Sequence, residues 1–232
     1  MIKAVFFDID DTLYSFRDTH KIAMESLYKY AQECLHVDKD TFCRTLKEVQ
    51  DKLIERLGEN SAVIHNRLIR FQNVLGLLGK PIHPYAREMY SLYWDTLLLY
   101  AVPEPGLREL LQELKAQGIY IGIGTDMTSY IQVKKLEKLG VAEFIDCIVT
   151  SEEAGVEKPE KELFDLCLEK AGLEPRECLF IGDNCRKDIL GAKNAGMYYL
   201  CYCKYCDCVD VDERYCIKSY EDTAKFEELG IL

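Results

Sequence analysis

The chain opens on a short apolar run, Ile2 to Phe7, rich in Val, Ile and Phe, and the run stops abruptly at three carboxylates, Asp8, Asp10 and Asp11. A continuous apolar segment of that length predicts a strand buried on both faces. From Phe16 to Tyr100 the pattern changes to helical spacing, as in Ile64, Leu68, Phe71, Leu75 and Leu78, with almost no strand-like segment. Pro103, Pro105 and Gly106 interrupt this helical block, and Leu107, Leu110, Leu111 and Leu114 start another helix that Gly118 ends. The chain then alternates. Strands are predicted at 119–124, 144–149, 178–181 and 197–201, separated by helices at 129–139, around Phe164 to Ala171, and at about 187–194.

Strands alternating with helices predict an α/β fold: a Rossmann-like parallel sheet with helices on both faces, because right-handed crossovers place the helices there. The helical block then becomes an inserted all-helical domain. The expected boundaries are 1–14 for the first strand and its acidic turn, 15–102 for the helical cap domain, and 103–232 for the rest of the α/β core. In such sheets the functional groups gather beyond the carboxyl ends of the strands.

Charge narrows the partner class. Forty acidic against twenty-nine basic residues give a net charge of −11, which disfavours nucleic acid and anionic membrane as partners and favours a small molecule. A phosphate-bearing substrate would be repelled at long range, so its site needs a local cluster of cations and backbone N–H groups. The acids directly after Phe7 argue against a signal peptide or a membrane span, and the chain is expected to be cytoplasmic. Eleven cysteines without a secretory signal read as mostly reduced thiols.

The strand ends carry the candidate chemistry. After the first strand, Asp8 and Asp10 stand two residues apart, where a turn can aim both carboxylates at one reacting group, although an isolated acidic triplet is equally a solvated turn. Gly124-Thr125-Asp126 offers a hydroxyl and main-chain N–H groups leading into a helix, an arrangement suited to a phosphate oxygen and also to a plain helix cap. Lys158, before Pro159, sits on a connecting loop. Gly182 and Asp183 end a further strand, and Asp188 follows in the first turn of a helix.

Together, Asp-x-Asp-x-Thr at 8–12, Thr125, Lys158-Pro159 and Gly-Asp-x4-Asp at 182–188 resemble the four ordered motifs of haloacid dehalogenase-like phosphatases. The segments GVEKP, KLEKLG and DILGAKNAGM extend the likeness to a branch with a helical cap inserted after the first motif. The resemblance implies that Asp8 attacks phosphorus, and that Asp10 protonates the leaving oxygen and then deprotonates water. Thr125, Asp126 and Lys158 would bind the phosphoryl group. Mg2+ would be held by the Asp8 carboxylate, the Asp10 main-chain carbonyl and Asp183, with Asp188 reaching the metal through water or orienting Lys158. The superfamily's dehalogenases dispense with the metal and the second aspartate, so Asp10, Asp183 and Asp188 favour phosphoryl transfer. Met127 departs from the pattern, since related phosphatases often carry glycine there.

These residues imply a phosphatase for a small phosphorylated metabolite. A phosphomutase using the same aspartyl phosphate and a non-catalytic binder on the same fold are the alternatives. Substrate choice is assigned to the cap, where His65, Asn66 and Arg67 interrupt apolar surroundings and are the specificity candidates, with a solvated helix face as the alternative. The run Cys201, Cys203, Cys206 and Cys208 has one knuckle-like gap but no second matching pair, which favours free thiols over a metal site. Oligomeric state stays open.

Overall fold

The computed structural model describes residues 1–205 and 211–231. The chain divides into two compact units, one formed by Met1–Ser15 with Val102–Leu232 and the other by Phe16–Ala101.

The larger unit is built on six parallel strands: β1 (Ala4–Phe7), β2 (Tyr120–Thr125), β3 (Cys147–Thr150), β4 (Cys178–Gly182), β5 (Tyr198–Tyr202) and β6 (Cys216–Ile217), in the spatial order β3-β2-β1-β4-β5-β6. β1 is central, and all four of its residues are buried, as its apolar run requires. Its alternate side chains serve two layers. Ala4 and Phe6 join Val149 and Phe180 against Leu163, Phe164 and Cys167 of α8 (Lys161–Ala171) and Ala192 and Ala195 of α9 (Leu190–Ala195). On the other side, the Phe7 ring meets Tyr220 edge-on at 6.3 Å, and Tyr220 stacks on Tyr202 at 4.8 Å. Burying each such side chain contributes roughly 1.5–3 kcal/mol, which is why this strand fixes the centre of the sheet. Gly122 of β2 is a close-approach position: a methyl there would overlap the Phe6 ring of the neighbouring strand.

Two sequence expectations shift. The predicted strand at 144–149 begins only at Cys147, because Ala142–Phe144 forms a 3-10 turn and the Asp146 carboxylate accepts the Ile121 N–H at 2.8 Å. The helix expected from about 187 begins as a wide π-helical turn, Cys185–Ile189, before α9. The short β6 lacks a periodic signature of its own and gives no signal in the sequence.

The helical unit contains α1 (Phe16–Cys34), α2 (Lys39–Leu57), α3 (Arg67–Leu77) and α4 (Tyr85–Tyr100). α1 buries Thr19, Ala23, Leu27 and Ala31, a strict four-residue step that forms one face. α4 buries Met89, Tyr93 and Leu97 on the same rule. The helical run read from Ile64 is broken: Asn66 caps α3, its side-chain oxygen accepting the N–H groups of Leu68 and Ile69 at 3.0 and 3.2 Å. Phe71, Val74 and Leu75 therefore face inward while Leu68 is exposed.

Candidate active site

The larger unit carries a cavity of about 200 Å³ at the carboxyl edge of its sheet. Asp8, Asp10, Thr125, Asp126, Lys158, Asp183 and Asp188 all line it, together with Asp11, Asn184 and Lys187. His65, Asn66 and Arg67 belong to the helical unit and are not part of this cluster.

Asp8 is placed by the sheet itself, its N–H donating to the Ile181 carbonyl at 2.9 Å just beyond β1. Lys158 enters from the loop after α7 (Ser151–Ala154), is 2% exposed, and donates to Asp8 Oδ1 at 2.7 Å and to the Gly124 carbonyl at 3.2 Å. Its ammonium also lies 2.7 Å from Asp188 Oδ1. Burial alone would push this ammonium down, but the charges of Asp188, Asp8 and Asp126 hold it well above the usual lysine range. One fixed cation thus bridges two buried acids.

Asp188 is fully buried, and its other oxygen accepts the Asn184 N–H at 2.9 Å. Gly182 makes this approach possible, since a methyl there would overlap the Asp188 carboxylate. The contact with Lys158 suits Asp188 to orienting that lysine, and its place beside Asp8 and Asp183 suits it equally to a metal. Asp8, Asp183 and Asp188 each offer an oxygen, and these atoms lie within 4.8 Å of one another. Burial pushes the Asp183 carboxyl up to about 8, with the charges of Asp188, Asp8 and Asp11 adding to the rise and Lys158 opposing it. Burial likewise raises Asp188, against the pull of Lys158. Among the described residues Lys158 pairs with Asp8 and Asp188 while Asp183 has no ion pair, so the carboxyl groups here outnumber the ammonium.

Asp10 is held differently. Lys135 donates to both of its oxygens at 2.7 Å, and the Tyr14 hydroxyl adds a bond at 2.7 Å. Lys135 is fully buried and was not singled out from the sequence. Its signal was present: it stands four residues after Ile131 and four before Leu139, on the buried face of α6 (Ser129–Leu139), where a lysine without a partner would be costly.

Thr125 is 1% exposed, and its hydroxyl accepts from the Gln132 carboxamide at 2.8 Å. The Asp126 side chain is turned to the protein: Oδ1 accepts the Lys158 N–H at 2.9 Å and Oδ2 accepts from Lys187 Nζ at 2.8 Å. A phosphate would therefore meet main-chain N–H groups here rather than that carboxylate. Lys187 also reaches buried Glu157 at 2.9 Å, and neither residue stood out in the sequence. Met127 occupies its unusual position at φ +106°, a region that favours glycine, with its N–H donating to Ser151 Oγ at 2.8 Å.

None of the nine described cysteines is in a disulfide. Cys201 and Cys185 lie with their sulfurs 3.8 Å apart, while Cys206 and Cys208 fall outside the described residues. No described helix is long and apolar enough to cross a membrane.

Acids gathered at the carboxyl edge of a parallel sheet around a buried lysine mark an α/β protein with a site suited to an anionic ligand. The profile of haloacid dehalogenase-like hydrolases matches residues 2–196, and the chain belongs to that family as a phosphohydrolase. It is 33% identical over 199 residues to a ribulose-1,5-bisphosphate 5-phosphatase of Halopiger xanaduensis, covering 85% of this chain and 83% of the relative. It is 43% identical over 196 residues to the pyrimidine 5'-nucleotidase YjjG of Escherichia coli, covering 83% and 82%. Among solved structures, the HAD-hydrolase YfnB of Bacillus subtilis bound to magnesium superposes with a TM-score of 0.72 at 22% identity, covering 99% of each chain.

Proposed function

We propose that this chain is a magnesium-dependent phosphatase that hydrolyses a small phosphate monoester through an aspartyl phosphate on Asp8. The observation that carries the reading is the Lys158 ammonium fixed 2.7 Å from both Asp8 and Asp188, because it aims the Asp8 carboxylate and marks where phosphoryl oxygens gain a cation. Asp8 attacks phosphorus. Asp10 delivers a proton to the leaving oxygen and, in the second half-reaction, takes one from the water that attacks the phosphoenzyme. Lys135 and Tyr14 keep that carboxyl group in place. Thr125 and the main-chain N–H groups of the following loop hold the phosphoryl oxygens with Lys158.

The donor set suits Mg2+. Its ligands would be the Asp8 and Asp183 carboxylates and the Asp10 main-chain carbonyl, all hard oxygen donors. Among the described residues the Asp183 side chain has neither a hydrogen bond nor an ion pair; burial raises its pKa first, and the charges of Asp188, Asp8 and Asp11, which a divalent ion would offset, add to the rise. When bound, the ion would neutralise the repulsion between carboxylate and phosphate.

The named relatives act on a sugar phosphate and on nucleotides, which supports a small phosphorylated metabolite as substrate. Phosphate release from a panel of sugar phosphates, nucleotides and phosphorylated acids, with Mg2+ and with excess chelator, tests the reading. Hydrolysis of at least one ester should require the metal; undiminished hydrolysis in chelator would overturn it.

A further inference from the structure

The helical unit holds a second cavity, of about 280 Å³, walled by His20 of α1, Lys47 and Gln50 of α2, Arg67 and Arg70 of α3 and Tyr93 of α4, among others. No carboxylate lines it, in a chain whose net charge is −11. Three of its side chains are permanent cations, and His20 adds a titratable fourth.

Among the described residues neither Arg67 nor Arg70 forms an ion pair. Arg67 donates one N–H to the Tyr93 hydroxyl at 3.2 Å and lies over that ring, its guanidinium carbon 4.8 Å from the centroid. Arg70 donates to the Ile64 carbonyl at 2.7 Å. Their Nε atoms are buried without a hydrogen-bond partner, as is the Gln50 side-chain oxygen. A guanidinium carries five N–H donors, and an Nε–H left buried without an acceptor is costly until one arrives. Gln50, rotated half a turn about its last bond, would present its NH2 in place of the orphaned oxygen. Tyr93 is itself fixed, its hydroxyl 2.7 Å from His20 Nδ1, so the wall that carries Arg67 is rigid.

We propose that this pocket binds an anionic group of a small molecule, a phosphate or a carboxylate, gripped by Arg67, Arg70 and Lys47 with Gln50 as a neutral donor. Both anions present a pair of oxygens that matches the guanidinium fork, and the volume is sufficient for one such group with a short carbon stem along Tyr93. Two sources share this chemistry: a second anionic group on the substrate, or a separate anion.

The single tryptophan, Trp94, lies edge-on to Tyr93 at 4.9 Å and reports on the pocket. Inorganic phosphate should change Trp94 fluorescence saturably in the full chain, and the dissociation constant should rise about fivefold in Lys47→Gln and about tenfold in Arg70→Gln. Lys47 is exposed, so its variant tests the proposal even if Arg70→Gln disturbs folding through the Ile64 contact. Absence of a saturable change, or equal affinity in wild type and Lys47→Gln, overturns the proposal. An arm that rests on the phosphatase reading then assigns the source, using the ratio of kcat/KM for phosphoglycolate over ethyl phosphate. A fall of about tenfold in Lys47→Gln assigns the pocket to the substrate's second anion, and an unchanged ratio with weakened phosphate binding assigns it to a separate anion. Failure of all ester hydrolysis would bear on the phosphatase reading alone, since the fluorescence arm needs no turnover.

Discussion

Asp183→Asn should stabilise the metal-free protein while abolishing its metal-dependent activity. The Asp183 carboxyl is pushed from an ordinary 3.8 to about 8 by burial and by three neighbouring carboxylates, so the folded chain binds this proton more tightly than the unfolded chain does. Between about pH 4 and pH 8 the folded state keeps a proton that the unfolded state has released. Stability from this group is therefore present at low pH and lost as pH rises, at a slope of up to about 1.4 kcal/mol per pH unit. The full span would give several kcal/mol, but the site opens to solvent and can relax, so about 2 kcal/mol at pH 8 is the expected cost to the metal-free protein. Asparagine keeps the shape and removes the charge. For a chain of this size, about 2 kcal/mol corresponds to a rise in Tm of roughly 4–8 °C at pH 8, shrinking toward zero at pH 4. Calorimetric unfolding in chelator at both pH values measures this, and a parallel titration with Mg2+ should stabilise wild type but not the variant. A Tm that falls at pH 8, or a variant that gains as much from Mg2+ as wild type, would refute the reasoning.

Two further substitutions separate the lysines. Lys158→Met leaves Asp8 and Asp188 buried without their shared cation, so metal-free stability should drop by about 3–5 kcal/mol with partial recovery in saturating Mg2+, and turnover should fall at least about a hundredfold; loss of neither would contradict the bridge. Lys135→Met should change stability by only about 1–2 kcal/mol, because methionine fills the buried stem and Asp10 keeps the Tyr14 hydroxyl and partial exposure. Its kcat should fall about tenfold or more on an alkyl phosphate and much less on an aryl phosphate, whose leaving group needs no proton, and equal losses on both would argue that Lys135 is only structural.

The parts of this fold that could be read in the sequence are those where one residue type has one physical outlet. The Ile2–Phe7 run could only be an interior strand, and the acids after it had to meet at the sheet edge. The strand and helix alternation after Leu107 was legible too, with shifted starts at Cys147 and Cys185 and no signal for β6. What escaped depends on long-range pairing. Lys135 is 125 positions from Asp10, and its spacing from Ile131 and Leu139 marks a buried helical face without naming the acid it meets there. Asn66 illustrates the converse. It was grouped with His65 and Arg67 as a specificity candidate, yet its carboxamide oxygen caps α3, a use its position before a helical run already suited. Asp126 was named for phosphate binding beside Thr125, and nothing in the sequence signalled that its side chain pairs with the Lys158 N–H and with Lys187. Met127 was legible in part: its departure from glycine marked the position, and the positive φ shows why glycine suits it.

The central claim is that the phosphoryl group passes through the Asp8 carboxylate. Rapid quenching of the enzyme during turnover, borohydride reduction of any acyl phosphate and peptide mapping by mass spectrometry test it directly. The account predicts homoserine at position 8 in wild type and none in Asp8→Asn. Turnover without any reduced residue, or with the reduced residue at Asp10 or Asp183, would contradict it.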